Sequence, residues 1–320
     1  MKSTVNNSDY CVDIEKVNRL AKDPAALIAS CEHAYAAQLD ELCGLVSAKS
    51  TARVILLAGP SSSGKTTTAH KLADRLTAAG RPTSVVSLDD FYLGMAQYPR
   101  LPDGTPDMES VNALDLPLIN STLKTLAERG SALFPVFDFE NSCRSSEQNR
   151  IEIGENGMLV MEGLHALNPR LVEKLPQELV FRAYVSTATT YTLDGQQVLS
   201  PRDTRLIRRT VRDCYFRDRS PLATLAGWHN VLAGEEKYIT PFRGTADYRI
   251  DSSFDYEGCV FHHYILPMLR GVRDDEKFRD KVRQIIDILE AFDDIDHAYV
   301  PADSLLREFI GSGDSTAASV

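Results

Sequence analysis

The chain has 320 residues, 43% of them hydrophobic, and carries 45 Asp and Glu against 35 Lys and Arg for a net charge of −10. That acidic balance argues against broad affinity for nucleic acid or an anionic membrane surface, and the longest apolar stretch, near Val54–Ala58, is far short of a bilayer span. The six cysteines are scattered without C-x-x-C spacing and the first ten residues lack the build of a signal peptide, so the expectation is a cytoplasmic protein with free thiols, folded as one large α/β domain with decorations.

Residues 1–22 read as a loose start. Asp23 can cap a helix with Pro24 at its first position. The stripe Ile28, Cys31, Tyr35, Leu39, Leu42 and Val46 carries that helix to about Val46 and assigns it to packing on the main domain. A polar link over 47–51 leads into Arg53-Val-Ile-Leu-Leu-Ala58, a short buried strand. Gly59-Pro60-Ser61-Ser62-Ser63-Gly64-Lys65-Thr66 follows, fitting G-x-x-x-x-G-K-[ST]. A helix over about 66–79 then keeps Ala69, Leu72, Ala73 and Leu76 on one stripe. Gly59 and Gly64 are expected to adopt torsions that side chains forbid. The loop N–H groups can then converge on phosphate oxygens at the positive end of the helix. Lys65 would reach the β- and γ-phosphates, and the Thr66 hydroxyl would ligate Mg²⁺. A bound nucleoside triphosphate, ATP or GTP, follows from this motif.

Further apolar runs lie at Ser84–Leu88, Leu133–Phe137, Met158–Met161, Val180–Val185 and Tyr248–Ile250, with helical patterns at 116–128 and 171–174 between them. Such alternation predicts a mostly parallel sheet flanked by helices. Two of the strand ends carry acids, Asp89-Asp90 after the 84–88 run and Glu162 after Met161. Ligands of open α/β sheets bind beyond the carboxyl ends of the strands. An acid there, on a strand neighbouring the phosphate loop, can hold Mg²⁺ or accept the proton of an attacking hydroxyl, so Asp89 and Glu162 are candidates for both tasks. The other member of the Asp pair is free to cap the next turn.

Residues 200–219 hold seven Arg against three Asp. Ser200, Pro201 and Asp203 form a helix start with capping-box spacing, and Arg205, Arg208, Arg209 and Arg212 then share one face. Like charges on one stripe repel unless an anion joins them, which predicts a phosphate-facing lid, over about 200–245, extended by Arg217 and Arg219. Such a lid shields the transferring phosphoryl group from water. His165 reads equally as a substrate contact or as a loop residue satisfied by backbone. Trp228 reads as packing. Glu235, Glu236 and Lys237 read as a clamp on lid or nucleotide, or as a solvated helix end. Adjacent His262 and His263 do not share a helix face and make no metal pair. Residues 274–293 and 303–310 read as C-terminal helices, and 312–320 as a disordered tail.

Assembled, these pieces resemble the uridine kinase/phosphoribulokinase group of P-loop kinases over roughly residues 50–311. Within it they most resemble the kinase half of bacterial nucleoside kinase-like proteins that often carry an N-terminal threonyl-tRNA synthetase-like half. The match rests on Ala58-Gly-Pro-Ser-Ser-Ser-Gly-Lys-Thr66, Ser87-Leu-Asp-Asp-Phe91, Glu162-Gly-Leu-His-Ala-Leu-Asn-Pro169, Asp203-Thr-Arg-Leu-Ile-Arg-Arg209, Gly234-Glu-Glu-Lys237 and Ser304-Leu-Leu-Arg-Glu-Phe-Ile-Gly311. Residues 1–50 would then be a tail and helix packed on a kinase domain at 51–311, in a stand-alone version. The resemblance implies that Asp89 activates a nucleoside 5′-hydroxyl, that Glu162 is associated with Mg²⁺, that Tyr92 is a substrate-side aromatic, and that Glu109 grips ribose hydroxyls with Asp107 close enough to compete. It implies that Arg209, Arg212, Arg217 and Arg219 meet phosphates and substrate. The segment that offers a Tyr and a His to the pyrimidine in uridine kinases reads Phe137-Asp-Phe-Glu-Asn-Ser142 here, which removes two polar base contacts. The expectation is an ATP- and Mg²⁺-dependent kinase acting on a small-molecule hydroxyl, a nucleoside's first among them, with no nucleic-acid or membrane partner and a homo-oligomer left open. A kinase for another polyol or sugar phosphate and a non-metabolic NTP-binding switch are the alternatives.

Overall fold

The computed structural model describes residues 10–311; the expected disordered tail lies outside them, as do residues 1–9 of the expected loose start. Ordered structure begins at once with strand β1 (Tyr10–Asp13) and helix α1 (Ile14–Leu20), so the reading of 10–20 as loose is corrected. Asp13 caps α1 by accepting from the Lys16 N–H, and Ile14 and Val17 are buried. Helix α2 (Pro24–Ala48) starts at the Asp23 cap with Pro24 in its first turn, and the stripe from Ile28 to Val46 is largely buried.

The central sheet has five parallel strands in the order β10 (Tyr248–Asp251), β7 (Val180–Ser186), β2 (Val54–Ala58), β6 (Met158–Glu162) and β3 (Thr83–Ser87). Both faces are covered, which explains why β2, and β6 as far as Met161, are apolar throughout rather than alternating. Ile55 and Leu57 enter one core with helix α3 (Lys65–Ala78) and α2, whereas Val54, Leu56 and Ala58 enter a second core with helix α4 (Leu116–Arg129). On the edge of the sheet, Gln38 of α2 bonds the Asp251 N–H and C=O of β10 at 2.8 and 3.0 Å, closing backbone groups that an edge strand leaves open.

Several expectations need revision. The 133–137 run is not in the parallel sheet: strand β4 (Ser131–Asp138) pairs antiparallel with β5 (Cys143–Glu152) as a separate hairpin whose second strand is almost wholly exposed. Residues 171–174 are not helical. Only a single tight turn forms at Pro169–Leu171, because Asn168 caps it and the chain turns again before Pro176. A third small sheet joins β1, β8 (Thr189–Leu193) and β9 (Gln196–Leu199). The arginine segment forms α5 (Pro201–Phe216), with the expected Ser200/Asp203 capping box complete. It packs beside α6 (Pro221–Tyr238) and α7 (Glu257–Arg270). The C-terminal helices are shorter than their patterns, α8 over Arg279–Glu290 and α9 over Arg307–Ile310. Among the described residues no helix is long and apolar enough to cross a membrane, and none of the six cysteines is in a disulfide.

Candidate active site

The 59–66 loop joins β2 to α3 beyond the carboxyl edge of the sheet. Gly64 has φ +79° and stands at the N-cap of α3, where no side chain takes the first-turn N–H groups. Those donors stay directed into the loop, the arrangement that suits an anion. A Cβ on Gly64 would also come within 2.5 Å of Leu305. Gly59 is required for a different reason than expected: its torsions are ordinary, but a Cβ would overlap the carbonyl oxygen of Val185 on neighbouring β7. The second left-handed residue of the loop is Ser62, at φ +62°. The buried hydroxyl of Ser63 has no hydrogen-bond partner. Pro60 contributes its carbonyl, which accepts from Lys65 Nζ at 3.2 Å.

Register explains how the acids arrive. Glu162 ends β6 opposite Leu57 of β2 on one side and Ser87 of β3 on the other. Its carboxylate accepts from the Thr66 hydroxyl at 3.2 Å. Asp89 was expected on the strand next to the loop and is not there, since β6 intervenes. It reaches the cleft from the tight turn after β3, whose Ser87 hydroxyl accepts from the Asp89 N–H at 3.2 Å. The Asp pair divides its work: Asp90 accepts from the Phe137 N–H at 3.3 Å and so anchors the β4 hairpin, while Asp89 lines the cleft with Lys65, Thr66 and Glu162.

Burial dominates the electrostatics. It pushes the Asp89, Glu162 and Glu109 carboxyls above their ordinary values against the pull of Lys65 or Arg209, and it lowers Lys65 despite Glu162, Asp89 and Glu308. Arg212 falls to about 10, through burial and then the neighbouring Arg217 charge. Cations pushed down and acids pushed up in one cleft mark charges whose desolvation is only partly offset. A polyanion beside Lys65 and Arg212, and a hard cation beside Thr66 and Glu162, would each offset it.

The four arginines expected on one phosphate-facing stripe separate into two pairs. Arg208 is fully buried, paired with Glu257 at 2.7 Å and bonded to the Ser252 carbonyl at 2.7 Å. Arg205 is buried against Glu235 at 2.7 Å, lies 5.6 Å over the Trp228 ring and donates to the Ser61 carbonyl at 3.2 Å. The phosphate-facing reading is thus wrong for these two, because α6 and α7 bring acids that are distant in sequence. Arg209 and Arg212 line the cleft, donating to the Ser61 hydroxyl at 2.7 Å and the Ser62 hydroxyl at 3.3 Å. Arg217 and Arg219 line it from the α5–α6 turn.

All these cleft groups border one cavity of about 850 Å³. Tyr92, Phe137 and Glu109 also line it, together with Asp107, whose carboxylate accepts from the Tyr238 hydroxyl at 2.8 Å and the Glu109 N–H at 3.2 Å. Glu308 of α9 was not anticipated. It accepts from the Thr67 hydroxyl at 2.8 Å and pairs with Arg212 at 3.4 Å, fastening α9 to the start of α3. The 304–311 motif was its sequence signal. Asn230 on the α6 wall was also missed, since the apolar pattern of that helix spreads round its circumference, whereas Lys237, read either as part of a clamp or as a solvated helix end, lines the cavity. His165 does not line the cavity: it is buried edge-on to Tyr238, with the Glu109 backbone beside its ring. Trp228 packs, as expected, and Glu236 forms an exposed pair with Arg202.

A parallel sheet with helices on both faces and an anion-ready loop at a strand–helix junction define a P-loop kinase fold. Residues 54–255 match the model of the Phosphoribulokinase / Uridine kinase family, and the chain belongs to that family. It is 22% identical over 195 residues to a uridine kinase of Ureaplasma parvum, covering 61% of this chain and 85% of that protein. It is 28% identical over 214 residues to a uridine kinase of Lactobacillus johnsonii, covering 62% and 90%. A solved structure described as a candidate fructose transport system kinase of Silicibacter sp. TM1040 shares the fold, with a TM-score of 0.51 and 21% identity over 66% of this chain and 98% of that one.

Proposed function

We propose that this family member transfers the γ-phosphoryl group of ATP, with Mg²⁺, to a hydroxyl of an uncharged polyol, and that a nucleoside 5′-hydroxyl is the acceptor. The observation carrying the reading is the convergence of Lys65, Asp89, Glu162, Arg209 and Arg212 on one cavity that also extends to Asp107, Glu109 and a set of aromatic rings. The open first turn of α3, the partnerless Ser63 hydroxyl and Lys65 fit a triphosphate. Thr66 and Glu162 fit a Mg²⁺ ion held by few protein groups. When bound, the ion supplies charge to the phosphate oxygens.

In this reading Asp89 accepts the proton of the acceptor hydroxyl, and its raised affinity for a proton brings it closer to that task. Lys65, Arg209 and Arg212 offset charge on the transferring group, with Arg217 and Arg219 closing over it. Glu109 holds vicinal hydroxyls, and Tyr92 and Phe137 border the acceptor. The carboxylates Asp89, Asp107 and Glu109 weigh against an anionic sugar phosphate. The large acceptor half weighs against an NTP-binding switch, which has no use for it.

The test is an acceptor screen for ADP release with nucleosides, free sugars and sugar phosphates. Turnover of nucleosides above the others is the expected result. Phosphorylation of sugar phosphates alone, or slow hydrolysis indifferent to every acceptor, would remove the proposal.

A further inference from the structure

The acceptor half of the cavity has two unlike sides. One carries Asp107 and Glu109, tied to α6 through the Tyr238–Asp107 bond. The other is an aromatic array. Tyr92 lies 5.8 Å from Tyr98 and 6.1 Å from Phe137, and Phe137 lies 5.1 Å from Phe139, ring centre to ring centre. Phe139 and Met95 line the cavity while remaining 63% and 42% exposed. Large apolar side chains left bare beside a deep polar site are surface that a ligand can cover.

The polar atoms of this array do not form a reading edge. Burial raises the phenols of both Tyr92 and Tyr98, and the charge of Asp89, joined at Tyr92 by that of Glu109, raises them further. Asp90, at the root of the hairpin, is engaged by the Phe137 N–H. The Ser142 carbonyl, at the hairpin tip, accepts from the Met95 N–H at 3.5 Å, so the tip is tied to the loop that carries Met95. Ser142 adds one hydroxyl.

We propose that Tyr98, Phe139 and Met95, with Tyr92 and Phe137, form a slot that binds the acceptor's ring through its faces, so that purine and pyrimidine nucleosides are both accepted. This rests on the nucleoside reading above and adds that the base is selected by flatness and size. Sites that hydrogen-bond a substrate's polar edge reject the wrong partner by about 10⁴-fold or more, whereas apolar sites discriminate by about 10–200-fold. Stacking tolerates every base because each has a π-face.

The experiment measures kcat/KM for uridine, cytidine, adenosine, inosine and a riboside carrying a phenyl ring in place of the base, with calorimetric binding of the matching 5′-deoxy compounds to the whole protein. The expected result is a spread below about a hundredfold with the phenyl riboside inside it. Phe139→Ala, at a side chain exposed enough to leave the fold intact, should weaken every ring-bearing ligand by a common factor of about ten. A preference above about a thousandfold for one base, or binding indifferent to the ring, would overturn the slot. If the 5′-deoxy compounds bind ring-dependently but none of the ribosides is phosphorylated, the slot stands and the nucleoside kinase reading fails.

Discussion

Arg208 and Arg209 are adjacent on α5, yet one is sealed in the core and the other borders the cleft. Arg208 has two buried anionic contacts with Glu257 and a carbonyl from Ser252, so its charge is matched inside the protein. Arg209 has the i+4 carboxylate of Asp213 and the hydroxyl of Ser61, and Arg212 has Glu308 and Ser62. These cleft cations lie against the phosphate loop with room beside them for a further anion. A run of basic residues therefore has no single meaning. Its members divide according to where the rest of the chain delivers carboxylates.

The sharpest way to break this comparison is Arg208→Met, which leaves Glu257 buried without its partner. A loss of about 3–5 kcal/mol in denaturant unfolding is expected, with much of it recovered in Arg208→Met/Glu257→Leu. A loss under about 1 kcal/mol would mean that Arg208 is not a structural cation. Next in size is Asp89→Asn, expected to keep nucleotide binding while lowering turnover by roughly 10²-fold or more. Near-normal rates would remove Asp89 from the base role. In the unsubstituted protein the acid limb of kcat/KM should lie above the ordinary carboxylate range. Burial raises Asp89, and the proposed base role needs its ionised form, so rate should be lost as pH falls through that raised value.

Arg212→Gln should lower kcat by about 10²-fold, the scale found for removing one charge-stabilising donor. It should change stability far less than Arg208→Met does. Equal destabilisation by the two substitutions would erase the distinction between core and cleft arginines.

His165 supplies the smallest test and a contrasting case, a titratable group whose burial outweighs the Glu109 backbone and the Asp107 charge beside it. Burial lowers it from 6.5 to about 4. Between those values the unfolded chain binds a proton that the folded one refuses, so stability is lost as pH falls through this window. The loss should reach about 2 kcal/mol by about pH 5. His165→Leu should flatten that part of the stability–pH curve. An unchanged curve would show that His165 finds a proton acceptor in solution.

Much of the fold was legible because its signals are local. The apolar run of β2, the Asp23-Pro24 start of α2 and the Ser200/Asp203 capping box each depend on residues a few positions apart, and each forms as read. The hairpin at 131–152 was misjudged in part because Leu133–Phe137 looks like any short buried strand. Its partner β5 carries Arg144, Glu147, Gln148 and Arg150 with both faces exposed, so it has no burial pattern to detect. Strand β1 was invisible for a similar reason: four residues give no periodicity, and its pairing with β8 sets Tyr10 opposite Thr189, more than half the chain away.

Of the candidate site, sequence alone determined the phosphate loop, because Gly59 to Thr66 is a continuous segment whose backbone makes the anion nest. It also supplied the acids that follow two strands and the helical spacing of the arginines. Tertiary structure decided which of those groups meet. Parallel register set Glu162 beside Thr66, and the turn after β3 carried Asp89 past the intervening strand. Glu235 and Glu257 withdrew Arg205 and Arg208 from the cleft. The physical reason is range: backbone torsion and capping act within a few residues, whereas pairing of buried charges depends on which distant segments pack together.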